Sequence, residues 1–307
     1  MSAPIAFPPF LQQGDLATVI STSGALREFD ALEKGMGVWR SRGYRVELGF
    51  HWDQKEGYFA GTDEQRRHAL LEAWKNPECK AILCTRGGYG SARLLEQWQW
   101  PLESPKWLIG FSDITGLLWS LATVGISSIH GPVLTTLAEE PASSQQRLFD
   151  ALEGRALKPL MGQGWGGGVI SGKLFPANLT VATHLLETPL QPDLNGAILA
   201  LEDVTEAPYR IDRMLTHWRL CGAFKQVKGI ALGRFSRCEA PVGSNSWTIE
   251  EVLRDRLGDL GLPVVSGLGF GHDGENAALP VGCWAELDGD QGSLKLRFPR
   301  EKSSFIN

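Results

Sequence analysis

The sequence lacks the long apolar run that a membrane-spanning helix needs. No stretch reaches the roughly 18 apolar residues of such a helix. The first residues, MSAPIAFPPFLQQ, also lack the basic start and the apolar core of a signal peptide. We therefore expect a soluble, cytoplasmic protein with no membrane partner.

An excess of positive charge is also missing. Thirty lysines and arginines stand against 35 aspartates and glutamates, which gives a formal net charge of −5. Because nucleic acids and anionic membranes attract basic surfaces, neither is an expected partner. Hydrophobic residues make up 43% of the chain, which is ordinary globular usage and excludes an intrinsically disordered protein.

Metal-binding and cofactor-binding motifs are absent as well. The five cysteines include no CxxC pair, which fits reduced thiols better than a disulfide framework. No two of the six histidines are spaced by three or four residues, and neither HExxH nor a P-loop occurs. One GxGxxG match, at 162–167, has no convincing strand before it and no helix after it. We therefore expect no metal ion and no cofactor.

The first half alternates short apolar runs with amphipathic stretches, which is typical of βαβ units and a mostly parallel sheet. The predicted strands are 15–21, 44–48, 80–84 and 107–110, and the predicted helices are 26–41, 62–74, 92–98 and 114–122. A capping box at Thr62 opens the second of these helices. A length of 307 residues predicts two domains. The fold class is therefore α/β, with an N-terminal parallel-sheet domain over 1–155.

The second half predicts a smaller C-terminal domain of mixed α/β structure over 173–307. Strands are expected at 197–202, at 228–233 and from 264, a helix is expected over 211–218, and an antiparallel hairpin is expected around 288–289. Capping boxes at Ser143 and Thr248 predict two further helices. The glycine-dense, nearly uncharged stretch 161–172 indicates a linker over 156–172. The active site is then expected in the cleft between the two domains.

A glycine-rich loop with two arginines follows the third predicted strand. Its sequence, RGGYGSAR from Arg86, lies at the carboxyl end of that strand, where open α/β sheets bind ligands. Gly87 and Gly88 let backbone N–H groups approach a substrate, and Tyr89 adds a side chain to the same surface. Arg86 suits the carboxylate of a departing residue, because a guanidinium binds carboxylates in a bidentate manner. The alternative is a tight turn with exposed arginines.

A second turn of this kind contains Gly-Phe-Ser-Asp at 110–113. Ser112 lies between a strand and a helix, so its hydroxyl is expected at the carboxyl edge of the sheet. The N–H of Asp113 would then lie at a helix N-terminus, where it can hold an oxyanion. The pattern alone equally allows Ser112 to be a helix N-cap without chemistry.

A hydroxyl nucleophile needs a base, and the base needs an orienting acid. His272 lies among glycines after a strand, a setting in which a side chain can face a cleft, whereas His130 ends a strand and can be a hydrogen-bonded core residue. The acid can be Glu202, at the end of an apolar run, or Glu206, four residues later. Composition and spacing leave these alternatives open.

The motifs RGGYGSARLL, IGFSDITGLL, HGP, LEDVTEAPYRIDRML and GFGH…LPVG occur in the order found in the LD-carboxypeptidase family, the muramoyltetrapeptide carboxypeptidases. FAGTDEQR, at 59–66, also resembles that family's approach to its second helix. The resemblance covers about 15–282. It implies a serine peptidase with a Ser-His-Glu triad, in which Ser112 resembles the nucleophile, Glu202 the orienting acid and His272 the base. Backbone N–H groups of Asp113 and Gly88 are the expected oxyanion donors.

The resemblance implies release of a terminal D-alanine from the tetrapeptide stem of cytoplasmic murein fragments. Within the same family, the alternative is an immunity-type hydrolase that cleaves an amide of a peptidyl-nucleotide antibiotic. An alternative of another class is a non-catalytic binder of anionic muropeptides. We also expect a homodimer. Two turns depart from the family pattern, Thr-Ser-Gly at 22–24 and Pro-Ala-Asn-Leu at 176–179, and both can reshape the pocket.

Overall fold

Two β-sheets organise residues 5–298, which are the part of the chain that this computed structural model describes. The strands are β1 Leu16–Ile20, β2 Arg45–Leu48, β3 Cys79–Cys84, β4 Trp107–Gly110, β5 Ile129–His130, β6 Leu160–Met161, β7 Gln163–Gly164, β8 Val169–Asn178, β9 Ile198–Val204, β10 Gly229–Ser236, β11 Val264–Ser266, β12 Leu279–Pro280, β13 Trp284–Asp288 and β14 Ser293–Leu296. The helices are α1 Phe29–Ser41, α2 Asp63–Lys75, α3 Ser91–Leu94, α4 Thr115–Thr123, α5 Leu134–Leu137, α6 Ala142–Leu152, α7 Leu179–Leu185, α8 Pro208–Leu220 and α9 Ile249–Leu257, with 3₁₀ turns at Leu95–Gln97, Ser112–Ile114 and Ala223–Lys225.

The first sheet has the order β12-β5-β4-β3-β1-β2, and β1 to β5 pair in parallel. Every residue of β1 and β4 is buried, as expected for strands of a parallel sheet that is covered on both faces. The predicted α/β class and the N-terminal parallel sheet are therefore confirmed. The carboxyl ends of β3 and β4 meet at one edge, so the loops that follow them lie close together.

The second sheet has the order β6-β14-β13-β8-β9-β10-β11-β7. The four strands from β8 to β11 pair in parallel, whereas β13, β14, β6 and β7 pair antiparallel. This mixed sheet confirms the second, mixed α/β part of the prediction. The predicted C-terminal hairpin is β13 and β14.

The glycine-dense stretch belongs to the second sheet and does not form the predicted linker. It supplies β6, β7 and the start of β8. A Cβ on Gly164 would lie 2.1 Å from the carbonyl oxygen of Gly289, and a Cβ on Gly172 would lie 2.3 Å from that of Gly196. At these two positions neighbouring backbones approach too closely for any side chain.

Local signals for helix ends had mixed outcomes. The capping boxes at Thr62 and Thr248 are both formed. The one predicted at Ser143 is wrong, because the N-cap of α6 is Pro141, two residues earlier, and no side chain caps it. Ser143 instead donates to a carboxylate oxygen of Glu275, 3.2 Å away. The helix predicted over 92–98 is a single turn of α3 followed by a 3₁₀ turn, and α1 begins three residues later than expected.

The two halves of the chain share one edge and one core. Strand β12, from the second half, extends the first sheet by pairing with β5. Ser127 Oγ donates to the carbonyl oxygen of Val281 at 2.7 Å, and the N–H of Val281 donates to the carbonyl oxygen of Ser128 at 2.8 Å. Buried side chains from both halves, such as Leu117 and Leu199, belong to the same hydrophobic cluster. In the described part of the chain, no helix is long and apolar enough to cross a membrane.

Candidate active site

The turn after β4 holds Ser112 in an unusual backbone conformation. Its φ is +62°, in the left-handed region that residues other than glycine rarely adopt. The neighbouring loop leaves room for it, since a Cβ on Gly87 would lie only 3.1 Å from Ser112 Oγ. Ser112 is not an N-cap, because that position of the short 3₁₀ helix is Phe111. The hydroxyl therefore projects at the carboxyl edge of the first sheet, beside the glycine-rich loop.

The side chain of Asp113 ties this turn to two other loops. Its carboxylate is buried and accepts hydrogen bonds from Ser23 Oγ at 2.6 Å and from the N–H of Ser91 at 2.8 Å. The hydroxyl of Ser91 donates back to the Asp113 carbonyl oxygen. Sequence reasoning gave Asp113 a backbone role only. These hydrogen bonds hold the turn in place and explain how Ser112 keeps its strained backbone conformation.

Glu202 and His272 form a close pair, although 70 positions separate them. His272 Nδ1 lies 2.6 Å from Glu202 Oε2, and the backbone N–H of His272 donates to the same oxygen at 3.3 Å. Asn178 Nδ2 donates to the other oxygen, Oε1, at 3.3 Å. Glu202 is fully buried two residues before the end of β9, and 16% of the His272 side chain is exposed. With Nδ1–H donated to the carboxylate, Nε2 is left as the acceptor.

The loop that carries His272 is fixed from behind by β10. Arg234 Nε and Ser236 Oγ both donate to the His272 carbonyl oxygen, at 2.9 and 2.7 Å. Gly271 has φ +103°, and a Cβ there would lie 2.9 Å from Glu202 Oε2. No sequence pattern identified Arg234 or Ser236, because their role depends on pairing between distant strands.

Phe111 connects the serine turn with the acid–imidazole pair. Its ring lies against the ring of His272, with centroids 4.6 Å apart. Phe111 directly precedes Ser112 in the chain, so the ring that contacts His272 belongs to the residue next to the predicted nucleophile.

The two alternative residues, Glu206 and His130, have other partners. Glu206 Oε2 lies 3.5 Å from Arg210 Nη1, so Glu206 forms an ion pair with a residue of α8. His130 is fully buried, with its ring between those of Phe111 and Phe270, and neither ring nitrogen has a hydrogen-bond partner among residues 5–298. Burial lowers the pKa of His130 to about 4, because the interior disfavours an imidazolium. It is a core histidine, as one alternative held, but not a hydrogen-bonded one.

A cavity of about 510 Å³ opens beside Ser112, between the two halves of the chain. Acidic groups dominate its charge, and no lysine or arginine lines it in the described part of the chain. Burial raises the pKa of Asp203 to about 6, although Thr180 and Asn178 donate hydrogen bonds to its carboxylate. The lining includes Ser112, Gly88, Tyr89, Asn178, Asp203 and Glu206.

Arg86 does not line this cavity. Its guanidinium donates to the carbonyl oxygen of Ala25 at 3.1 Å and lies 3.5 Å from a carboxylate oxygen of Glu28. These contacts hold it on the β1–α1 side of the loop. Tyr89 and Gly88, by contrast, face the cavity. Among residues 5–298, no cluster of three or more histidine, cysteine, aspartate or glutamate side chains could hold a metal ion.

Comparison with known proteins identifies relatives that match most of the chain. The family profile of the LD-carboxypeptidase N-terminal domain matches residues 18–131, and that of the C-terminal domain matches 171–287. A putative carboxypeptidase of Synechocystis sp. is 61% identical over 92% of this chain and 95% of its own. The murein tetrapeptide carboxypeptidase of Pseudomonas aeruginosa is 34% identical over 85% of this chain and 90% of its own.

Solved structures have the same fold. The muramoyltetrapeptide carboxypeptidase of Oxalobacter formigenes superposes with a TM-score of 0.83 at 31% identity, over 92% of this chain and 97% of that one. The microcin C7 self-immunity protein MccF superposes with a TM-score of 0.85 at 22% identity, over 96% and 98% of the two chains, which shows the fold alone. This chain belongs to the LD-carboxypeptidase family and is a serine-type carboxypeptidase.

Proposed function

We propose that this protein releases the terminal D-alanine from murein tetrapeptides in the cytoplasm, through a Ser112–His272–Glu202 triad and an acyl-enzyme. The observation that carries the proposal is the 2.6 Å contact between His272 Nδ1 and Glu202 Oε2, beside the strained serine turn. The names of the Pseudomonas and Oxalobacter relatives support the substrate. A homodimer is part of the proposal.

In the proposed mechanism, His272 Nε2 takes the proton of the Ser112 hydroxyl as its oxygen attacks the scissile carbonyl. The buried carboxylate of Glu202 keeps the proton on Nδ1 and stabilises the imidazolium that forms. The imidazolium then protonates the departing amine. Water, activated by the same imidazole, hydrolyses the acyl-enzyme and restores the serine.

The negative charge on the tetrahedral intermediate needs backbone donors. The N–H of Asp113 suits this role, because the first N–H groups of a helix have no partner within it. The N–H of Gly88 is the second proposed donor, since Gly88 lines the cavity and has φ +120°. Gly87 and Tyr89 would contact the substrate from the same loop. For Arg86 to contact the carboxylate of the departing D-alanine, its guanidinium has to move away from Glu28.

The names of the more similar relatives favour a murein peptide over an acidic aminoacyl nucleotide. MccF has been solved with aspartyl sulfamoyl adenosine and with glutamyl sulfamoyl guanosine, both of which carry an acidic side chain. The murein-acting relatives named above are 31–34% identical to this chain, whereas MccF is 22% identical, so the murein peptide has the stronger support. Membership of a peptidase family argues against the non-catalytic binder.

The test is D-alanine release from purified muropeptides of known stem length, together with labelling by a serine-reactive probe. We expect wild-type protein to release D-alanine from tetrapeptides and to be labelled. The Ser112→Ala variant should do neither. Ser143→Ala, which removes a hydroxyl on α6, is the matched control and should behave as the wild type. Labelling that persists in Ser112→Ala, or cleavage of aminoacyl sulfamoyl adenylates in place of tetrapeptides, would contradict the proposal.

A further inference from the structure

Three aromatic side chains from two loops form an exposed surface, and the proposed mechanism uses only one of them, Tyr89. Tyr58 is 62% exposed and Tyr89 is 53% exposed, with ring centroids 6.1 Å apart. Phe59 lies against both, at 4.3 Å from Tyr58 and 5.7 Å from Tyr89. We call Tyr58, Phe59 and Tyr89 the aromatic rim. Ring surface of this extent, left open to water, is typical of a binding site.

The aromatic rim is held rigidly from behind. The guanidinium of Arg66, which is fully buried, lies over the Phe59 ring at 4.7 Å. Backbone hydrogen bonds join both loops to the turn after β1, with the Ala25 N–H donating to the Tyr58 carbonyl and the Gly24 N–H donating to the Gly87 carbonyl. Loops whose backbone is fixed in this way lose little conformational entropy when a ligand binds.

The aromatic rim continues directly from the catalytic cavity. Tyr89 lines both, and it follows Gly87 by two residues. A Cβ on Gly87 would lie 3.1 Å from Ser112 Oγ, and two residues of extended chain span about 7 Å. A substrate with its scissile bond at Ser112 is therefore long enough to reach the rim with its next few groups.

We propose that the aromatic rim binds the amino-sugar ring to which the murein stem peptide is attached. This inference rests on the proposed function. Stem residues such as alanine and glutamate offer no large apolar surface, and a carboxylate is repelled by the negative face of an aromatic ring. A pyranose, by contrast, has a flat face of C–H groups that packs on a ring. Its hydroxyl and N-acetyl groups can hydrogen-bond to the tyrosine hydroxyls at the edge.

The experiment compares kcat/KM for one tetrapeptide in two forms, free and attached to N-acetylmuramic acid. We expect the wild type to prefer the sugar-bearing form. Tyr58→Ser should lower kcat/KM for that form by about three- to tenfold, the range of one aromatic contact. It should lower kcat/KM for the free peptide less than about twofold, since Tyr58 does not line the cavity in which the peptide is bound. Tyr58→Phe keeps the ring and should retain most of the preference.

Trp247→Ser is the matched control, because Trp247 is 54% exposed and lines a separate hollow on α9. It should change neither substrate. Equal losses on both substrates in Tyr58→Ser, or no loss at all, would overturn the sugar site while leaving the proposed activity intact.

Calorimetry with the Ser112→Ala protein separates the two proposals. Tighter binding of the sugar-bearing peptide than of the free peptide, abolished by adding Tyr58→Ser, supports the rim whether or not turnover is seen. Wild-type protein that binds in this way but cleaves neither peptide would contradict the proposed function alone. Equal affinity for the two forms would overturn the rim.

Discussion

Replacing Glu202 with glutamine separates the charge of the buried carboxylate from its shape. In the wild type, Oε1 accepts from Asn178 Nδ2, and Oε2 accepts from both the backbone N–H and Nδ1 of His272. A glutamine has only one acceptor oxygen, so its NH₂ group must face a donor on one side or the other. If it faces His272, the proton on Nδ1 moves to Nε2, and the imidazole can no longer accept the proton of Ser112.

The size of the effect follows from that tautomer and from the lost charge. An uncharged partner that holds the wrong tautomer lowers kcat by about 10³–10⁴ in a serine triad. At about 1.36 kcal/mol per factor of ten, this corresponds to about 4–5.5 kcal/mol of transition-state stabilisation. A buried donor left unpaired costs about 1–3 kcal/mol of folding stability, so the variant should fold with a lower melting temperature.

Glu206→Gln is the matched control, and the assay is D-alanine release from tetrapeptide at equal folded fraction, checked by circular dichroism. Glu206 pairs with Arg210 at a partly exposed site, an interaction worth about 0–1 kcal/mol. Its variant should keep kcat within about tenfold of the wild type. If Glu206→Gln is the inactive protein and Glu202→Gln is active, the assignment of the orienting acid is wrong.

Three further predictions concern Gly271, His130 and metal ions. Gly271→Ala should lower kcat at least about a hundredfold, because its Cβ would press on Glu202. Gly267→Ala also has a positive φ but meets nothing within 4 Å, so it should lose stability without comparable loss of kcat. The pKa of His130, about 4 in the folded protein, lies below its ordinary value of 6.5. Between pH 6.5 and 4 the unfolded chain therefore binds more protons than the folded protein, and the free energy of unfolding falls as the pH drops through that window. His130→Phe should therefore raise the melting temperature more at pH 5 than at pH 8, and an equal gain at both would refute this reasoning. Dialysis against a strong chelator should leave turnover intact, and a loss restored by zinc would contradict the triad.

The parts of the site that depend on local chain were predictable from the sequence. The strand–Ser112–helix turn is set by a few consecutive residues, and its position after β4 follows from the βαβ pattern. The choice between Glu202 and Glu206 was not predictable from spacing. It depends on the register of β9 and on a loop 70 positions later, and only the family resemblance pointed to Glu202.

The remaining differences have the same origin in tertiary contacts. Glycines at 162–172 resembled a linker because the sequence does not record which backbones approach each other, such as Gly164 and Gly289. The support of the His272 loop by Arg234 and Ser236 likewise exists only once β10 is in place. The domain limits 1–155 and 173–307 stay a prediction.

The pairing of β12 with β5 has a consequence for how the protein is made. The sheet that carries Ser112 keeps an open edge at β5 until residues 279–280 have been synthesised. Contacts across so many residues form late and slowly in folding. During that time the edge of β5 is unpaired, and an unpaired strand edge can pair with another chain. A ribosome-bound chain that stops before β12 should therefore have no hydrolase activity, so that active protein appears only when synthesis is nearly complete.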